Sequence, residues 1–176
     1  MTGVANDIKL WPYGVPSNDQ TSWGVAATAQ LYEGCVALQS GGSGGITQGY
    51  LKNMATPATT DVVVGIIDGY GPSCGQANKS PGIGGTVLNT ADGVLTANVE
   101  TGTFLLLGGT GSDALTVTNV GTQVYLINED TVGATNGGSS RPVAGLLVQV
   151  PATDASIPVG FVAVQLGTPG SPWGGV

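Results

Sequence analysis

The sequence GTQVYLINEDTVGATNGGSSRPVAGLLVQVPATDASIPVGFVAVQLG, residues 121–167, decides the fold. It contains three apolar runs with the character of strands, and segments rich in Gly, Asn and Ser separate them. Short apolar runs between such turn residues are typical of β-strands joined by tight connections. The stretch therefore predicts consecutive antiparallel β-strands.

The composition of the whole chain favours the same fold class. Among 176 residues there are 31 Gly and 10 Pro, and only 9% of the residues are charged. The hydrophobic share of 41% supplies enough apolar surface to offset the entropy lost on folding, which argues against disorder. We predict an all-β fold, a compact β-barrel or β-sandwich of short antiparallel strands, with one short helical turn and an extended N-terminal arm.

Three local patterns refine this prediction. The continuous apolar run Val62–Ile67 lies between polar residues and predicts a fully buried strand. The segment from Thr116 to Gly121 predicts a single helical turn, with the threonine as N-cap and the glycine as its end. Residues 68–85 are rich in Gly, Pro and Ser and predict a loop too long for an ordinary turn, the kind of segment where binding tends to occur.

The chain divides into three predicted parts: an extended arm over residues 1–28, a β-domain over residues 29–167 and a tail over residues 168–176. Pro12 and Pro16 support the arm, because proline cannot donate a hydrogen bond to a β-ladder and is excluded from central strands.

Large apolar side chains are concentrated in the predicted arm and tail. Segments that cannot fold alone need another surface to cover such side chains, and two alternatives are open. The arm either contacts another subunit or wraps back onto its own barrel. The candidates for contact with another subunit are Leu10, Trp11, Tyr13, Trp23 and Trp173.

The side chains of common active sites are missing from the sequence. The chain has no histidine, so a Ser-His-Asp or Cys-His arrangement cannot form within it. Glu129 and Asp130 are adjacent, and neighbouring residues of a strand point to opposite faces, so they cannot flank one substrate bond. The glycine-rich segments 40–45 and 108–112 lack the lysine of a P-loop. We predict no enzymatic activity, no cofactor and no metal.

The charge of the chain narrows its partners. Eleven acidic and four basic residues give a net charge of −7, which disfavours binding to nucleic acid, because such binding needs clustered Lys and Arg. The sequence has no apolar run of membrane-spanning length and no leading basic and apolar segment of an export signal. We therefore expect no membrane contact. Cys35 and Cys74 could form a bridge, but in a bacterial cytosol we expect two buried thiols.

Residues 23–38 and 101–167 resemble the capsid decoration, or cement, proteins of tailed bacteriophages. At the carboxyl end the pattern is a Gly-x-x-Val-Tyr strand, an acidic turn, a glycine-rich loop, an Ala-Gly strand and a final Val-rich strand. At the amino end an aromatic residue precedes Val-Ala-Ala, and an aromatic-x-Gly leads into a strand of small apolar residues. The matching segments are Gly121–Tyr125, Glu129–Val132, Gly137–Gly138, Ala144–Gly145, Val159–Leu166, Trp23–Ala27 and Leu31–Leu38.

The resemblance implies a structural protein without catalysis. A member of this family adds to the outside of the expanded shell, bridges subunits of the major capsid protein and frequently forms a homotrimer. Its location is the outer surface of the virion, and the host cytoplasm during assembly. The chain departs from the pattern in its long aromatic arm, in the insertion over residues 72–85 and in its Trp-bearing tail. The alternative is a β-sandwich recognition module on a virion that binds carbohydrate or a host surface.

Overall fold

The computed structural model describes residues 20–27, 29, 31, 34–42, 46–52, 57–70 and 91–166. The described residues form ten β-strands and two short 3-10 helices, so the prediction of an all-β fold is confirmed. The predictions that concern most of the arm, the insertion over residues 72–85, the tail and Cys74 lie outside the described residues. Among the described residues, no helix has both the length and the apolar content needed to span a membrane.

The first half of the described chain forms a five-stranded sheet with the spatial order β1-β5-β4-β2-β3, in which every neighbouring pair is antiparallel. An isolated parallel bridge between Val25 and Leu51 joins the ends of the two outer strands. The strands are β1 (Gln20–Gly24), β2 (Val36–Gln39), β3 (Leu51–Lys52), β4 (Val62–Tyr70) and β5 (Thr96–Glu100).

Strand β4 is buried on both faces, as the continuous apolar run in the sequence predicts. Val63 and Ile66 belong to one hydrophobic core, and Val64 and Ile67 belong to another. With strict alternation along a strand, Val63 and Ile66 would face opposite sides of the sheet. They face the same core because the register of β4 against β2 shifts by one residue in this segment. Gly65 lies at the shift, where a Cβ atom would collide with the carbonyl oxygen of Glu100.

The second half forms a closed five-stranded barrel in the order β10-β6-β8-β7-β9. Its strands are β6 (Thr103–Gly108), β7 (Gln123–Leu126), β8 (Thr131–Gly133), β9 (Val143–Gln149) and β10 (Phe161–Leu166). Within residues 121–167 the pairs β7-β8, β7-β9 and β9-β10 are antiparallel, as predicted. The pair β6-β8 is parallel, which the sequence pattern did not predict. This pair joins two strands that are distant in the chain, and a local pattern carries no information about such pairing.

The predicted helical turn is present as a 3-10 helix over Val117–Asn119, with Thr116 as its N-cap. The backbone N–H of Thr116 donates to Oδ1 of Asn119 at 2.9 Å, and the backbone N–H of Asn119 donates to the carbonyl of Thr116 at 3.0 Å. A second 3-10 helix over Gly111–Asp113 was not predicted. The region therefore has two short helical turns rather than one.

Two hydrophobic cores hold the fold together. The larger core fills the barrel and also receives Val36, Leu38, Val63 and Ile66 from one face of the sheet. The smaller core lies on the other face of the sheet. Its buried members are Val25, Ala26, Ala29, Leu31, Ala37, Leu51, Val64, Ile67, Ala97 and Val99. Because the first core draws side chains from both halves, the sheet and the barrel are packed against each other.

Candidate functional site

The sheet begins at Gln20, inside the segment predicted to be an extended arm. Strand β1 pairs with β5 from Gln20 opposite Glu100 to Gly24 opposite Thr96. Residues 20–24 of the segment predicted as an arm thus pair within the described sheet, and the boundary of the arm stays a prediction. Pro12 and Pro16 restrict only their own surroundings, whereas the sequence of β1 contains no proline and can pair along its full length.

Trp23 is the only predicted contact residue that lies among the described residues. It is half-buried in β1 and packs against the smaller core. This tryptophan thus contributes to the folding of its own sheet, and its exposed part remains available for the predicted contact. Leu10, Trp11, Tyr13 and Trp173 lie outside the described residues, so their role as contacts stays a prediction.

The end of β1 is held by an aromatic ring that the sequence pattern did not single out. Tyr50 packs against the smaller core, and its ring lies directly over the backbone of Gly24 and Gly93. A Cβ atom on either glycine would lie 3.0 Å from a ring carbon, which is closer than nine in ten Cβ contacts, so the ring would have to shift. The two glycines therefore allow the ring to close over the carboxyl end of β1.

Asp92 fixes the chain just after β1. Its Oδ1 atom accepts the backbone N–H of Ala27 at 2.7 Å. A hydrogen bond from the Thr47 side chain lowers the pKa of this carboxyl below its usual value, and the bond from Ala27 lowers it further, by a smaller amount. Nearby, the N–H of Val25 donates to Leu95 at 2.9 Å. These bonds and the Tyr50 ring hold the chain at the carboxyl end of β1. We call this region the arm root; it comprises Trp23–Ala27 and the residues around Tyr50 and Asp92.

A buried ion pair lies between β3 and β4. Nζ of Lys52 is 2.6 Å from Oδ2 of Asp61, and the two side chains are 1% and 0% exposed. The carboxylate also accepts the backbone N–H of Gly41 at 3.0 Å and that of Ala58 at 2.6 Å. Because solvent cannot reach either charged group, the pair ties the connection from β3 to β4 to the loop after β2 rather than acting on a substrate.

The barrel end that lies away from the sheet carries two long connections. We call them the distal loops: residues 109–122, which join β6 to β7, and residues 150–160, which join β9 to β10. Asp113 in the first loop binds Arg141, with Oδ1 and Nη1 2.8 Å apart, and accepts the hydroxyl of Thr135 at 2.6 Å. The hydrogen bond from Arg141 lowers the pKa of the Asp113 carboxyl below its usual value, and the bond from Thr135 lowers it further, by a smaller amount.

The distal loops also expose apolar side chains. Val117 is 53% exposed, Val120 is 37% exposed and Val159 is 93% exposed. Sequence analysis did not single them out, because isolated valines among Thr, Asn and Pro give no periodic pattern. Only the placement of two distant loops at one end of the barrel brings them to a common region.

The acidic turn connects β7 to β8 and faces the sheet. The N–H groups of Asp130 and Thr131 both donate to Oδ1 of Asn128, at 3.1 and 2.9 Å. The carbonyl of Glu129 accepts the N–H of Val36 from β2 at 2.8 Å. The turn is therefore a structural junction between barrel and sheet. The two acidic residues are partly buried in this junction.

Within the described ranges, no three His, Cys, Asp or Glu residues lie close enough together to hold a metal ion. Cys35 is buried, as predicted. No protein-family model, no curated protein and no solved structure matches the chain. Among the described residues, the arm root and the distal loops are the two surfaces that we consider as candidates for contact.

Proposed function

We propose that this protein is a structural head decoration, or cement, protein of a tailed bacteriophage. It binds the outer surface of the assembled capsid and stabilises the shell by bridging subunits of the major capsid protein. The observation that carries the proposal is the agreement between the resemblance and the barrel. Residues 101–167 hold the longer matching segment, and strands β6 to β10 of the closed barrel lie within the same range.

The individual motifs have structural reasons in this barrel. The Gly-x-x-Val-Tyr motif leads into and through β7, and the acidic motif forms the junction with the sheet. In the Ala-Gly motif, Ala144 is 1% exposed, and a Cβ atom at Gly145 would collide with the carbonyl of Gln165 in β10. Two small residues are therefore needed where β9 passes close to β10. This agreement supports the interpretation that the resemblance reflects a shared barrel.

The proposed mechanism is a shift in the equilibrium of the shell. A protein that binds only the expanded lattice, across the boundaries between subunits, stabilises that lattice by mass action. Several weak contacts act together through their high effective concentration. Each contact then needs less than about 1,000 Å² of buried surface and still holds.

In this proposal the N-terminal arm reaches the capsid from a rigid base. Strand β1 pairs with β5 from Gln20 onward, and the arm root holds its carboxyl end, so the aromatic residues before Gln20 are tethered to a strand of the sheet. We assign the main capsid contacts to Leu10, Trp11 and Tyr13, with Trp173 as a second candidate, because aromatic anchors dominate the binding energy of interfaces. The partner is the major capsid protein, and the expected assembly of the free protein is a homotrimer.

Co-sedimentation tests this proposal directly. Purified protein is mixed with expanded empty heads and, separately, with unexpanded proheads, and the bound copies are counted at saturation. We expect binding to expanded heads at a copy number related to the lattice, and weak binding to proheads. A folded sample that binds neither shell would overturn the proposal. Binding of the free protein to immobilised glycans would then favour the recognition module instead.

A further inference from the structure

The directions of the strands place both distal loops at the same end of the barrel. Strands β6 and β8 are parallel, while β10 is antiparallel to β6 and β9, and β7 is antiparallel to β8 and β9. The loops that follow β6 and β9 therefore emerge together. At the opposite end, the carbonyls of Gly102 and Glu129 accept backbone N–H groups from Leu166 and Val36, where the barrel meets the sheet.

The distal loops present apolar side chains on a fixed backbone. Val117 and Val120 are three residues apart on a 3-10 turn, in which side chains at this spacing lie on the same side. In the second loop Ala155, Pro158 and Val159 are exposed, while Ile157 between them is buried and anchors the loop.

Hydrogen bonds hold both loops in place. The N–H of Gly121 donates to the carbonyl of Leu147 at 2.8 Å, and the N–H of Leu147 donates to Thr122 at 3.0 Å. In the second loop the N–H of Ser156 donates to Oδ1 of Asp154 at 2.8 Å. Binding through such loops costs little ordering entropy, because the exposed valines are already positioned.

The charge of this end distinguishes it from the rest of the molecule. The distal loops contain two carboxylates, Asp113 and Asp154, and Arg141 neutralises the first. The end that meets the sheet carries three carboxylates within a few residues of the junction: Glu100, Glu129 and Asp130. For a chain with a net charge of −7, like-charge repulsion opposes self-association, and of these two regions the distal loops carry the fewer carboxylates.

We propose that the distal loops form the surface through which one copy of this protein contacts another. The valines at this end are buried between copies, while the carboxylates at the junction of barrel and sheet lie outside the contact. This inference deepens the expectation of a homo-oligomer within the proposed function, since it names the contact surface. It concerns the free protein and does not need a capsid to be present.

Sedimentation velocity of the full-length protein over a range of concentrations tests the inference. The test variant is Val117→Ser, Val120→Ser and Val159→Ser combined. The matched control is Val94→Ser, because Val94 is 56% exposed but lies beside β5 in the sheet. We expect the wild type and the control to self-associate, and the triple variant to bind itself about tenfold more weakly for each valine removed. Circular dichroism and thermal melting check that the variants remain folded.

Three results would overturn the inference. The first is a wild-type protein that stays monomeric at all concentrations, and the second is a triple variant that associates as the wild type does. The third is a result in which the Trp11→Ala, Tyr13→Ala variant no longer self-associates while the triple valine variant still does. That result would place the contact in the arm. Counting copies on expanded heads is a separate measurement, so failure of capsid binding can be told apart from failure of this contact.

Discussion

Lys52 and Asp61 form an ion pair in which Nζ and Oδ2 are 2.6 Å apart and neither side chain is more than 1% exposed. Two backbone N–H groups complete the environment of the carboxylate. Removing charges from water is costly, and the mutual attraction offsets that cost only while both partners are present. The pair therefore makes the connection between β3 and β4 dependent on the correct placement of two residues.

We predict that Lys52→Met lowers the free energy of unfolding by about 3–5 kcal/mol, because it leaves the Asp61 carboxylate buried without its cation. The double variant Lys52→Met, Asp61→Asn removes both charges and keeps an oxygen for the backbone N–H groups. It should be more stable than the single variant. Urea unfolding measures all three proteins, and a double variant less stable than Lys52→Met would contradict the prediction.

We predict that Gly145→Ala destabilises the barrel by about 1–3 kcal/mol or more, because its Cβ atom would collide with the carbonyl of Gln165 rather than with a movable side chain. Gly108→Ala is the matched control in β6. A Cβ atom there would meet its nearest neighbour, Cγ1 of Val162, at 3.5 Å, an ordinary contact distance. Thermal melting of both variants should show a clear loss only for Gly145→Ala, and equal losses would disprove the argument from close strand approach.

We predict that the contact between Asp113 and Arg141 stabilises the protein at neutral pH and ceases to do so in acid. The pKa of Asp113 is lowered in the folded state from its usual value of 3.8. The stabilisation is therefore fully present above the usual pKa and is lost as the pH falls through the lower, folded value.

Arg141→Gln tests this pH dependence. The substitution should cost up to about 1 kcal/mol at pH 7, in the range of a partly exposed pair. The difference in unfolding free energy between wild type and variant should shrink as the pH falls below 3.8. If the difference in unfolding free energy were the same at pH 7 and below pH 3.8, the arginine would act through packing and not through the charge of Asp113.

We predict that the Trp11→Ala, Tyr13→Ala variant unfolds at the same urea concentration as the wild type and loses occupancy on expanded heads. Both residues precede Gln20, where the described sheet begins. Copy number after co-sedimentation measures the effect. Unchanged occupancy in this variant would refute the assignment of the arm as the capsid anchor.

Trp23→Ala provides the contrasting case. Because Trp23 packs against the smaller core, its truncation should lower the free energy of unfolding by about 1–3 kcal/mol. Urea unfolding of the free protein measures this loss. If the variant were as stable as the wild type, the tryptophan would contribute to contacts with other molecules and not to its own sheet.

Local signals in the sequence were sufficient for much of the fold. The apolar run at β4, the turn residues between β7 and β10, and the cap at Thr116 each act through near neighbours, so composition and spacing reveal them. The parallel pairing of β6 with β8 and the pairing of β1 with β5 join residues that are distant in the chain. No periodic pattern encodes the choice of such partners.

The same distinction applies to the candidate surfaces. Asp113 and Arg141 are 28 residues apart, and neither has a neighbour that suggests the other. Lys52 and Asp61 are close in sequence, but nothing in their surroundings predicts that both would be buried. The exposed valines of the distal loops became a surface only once the order of the barrel strands was known.

Strands β6 to β10 form a closed ring, which limits how molecules packed at high density can associate. Every strand of the ring has a partner on both sides, so the barrel has no edge strand to which a strand of another molecule can be added. Neighbouring molecules packed at high density can therefore touch through side chains without fusing into fibrils by way of the barrel. A protein displayed in many copies on one particle would need this protection most.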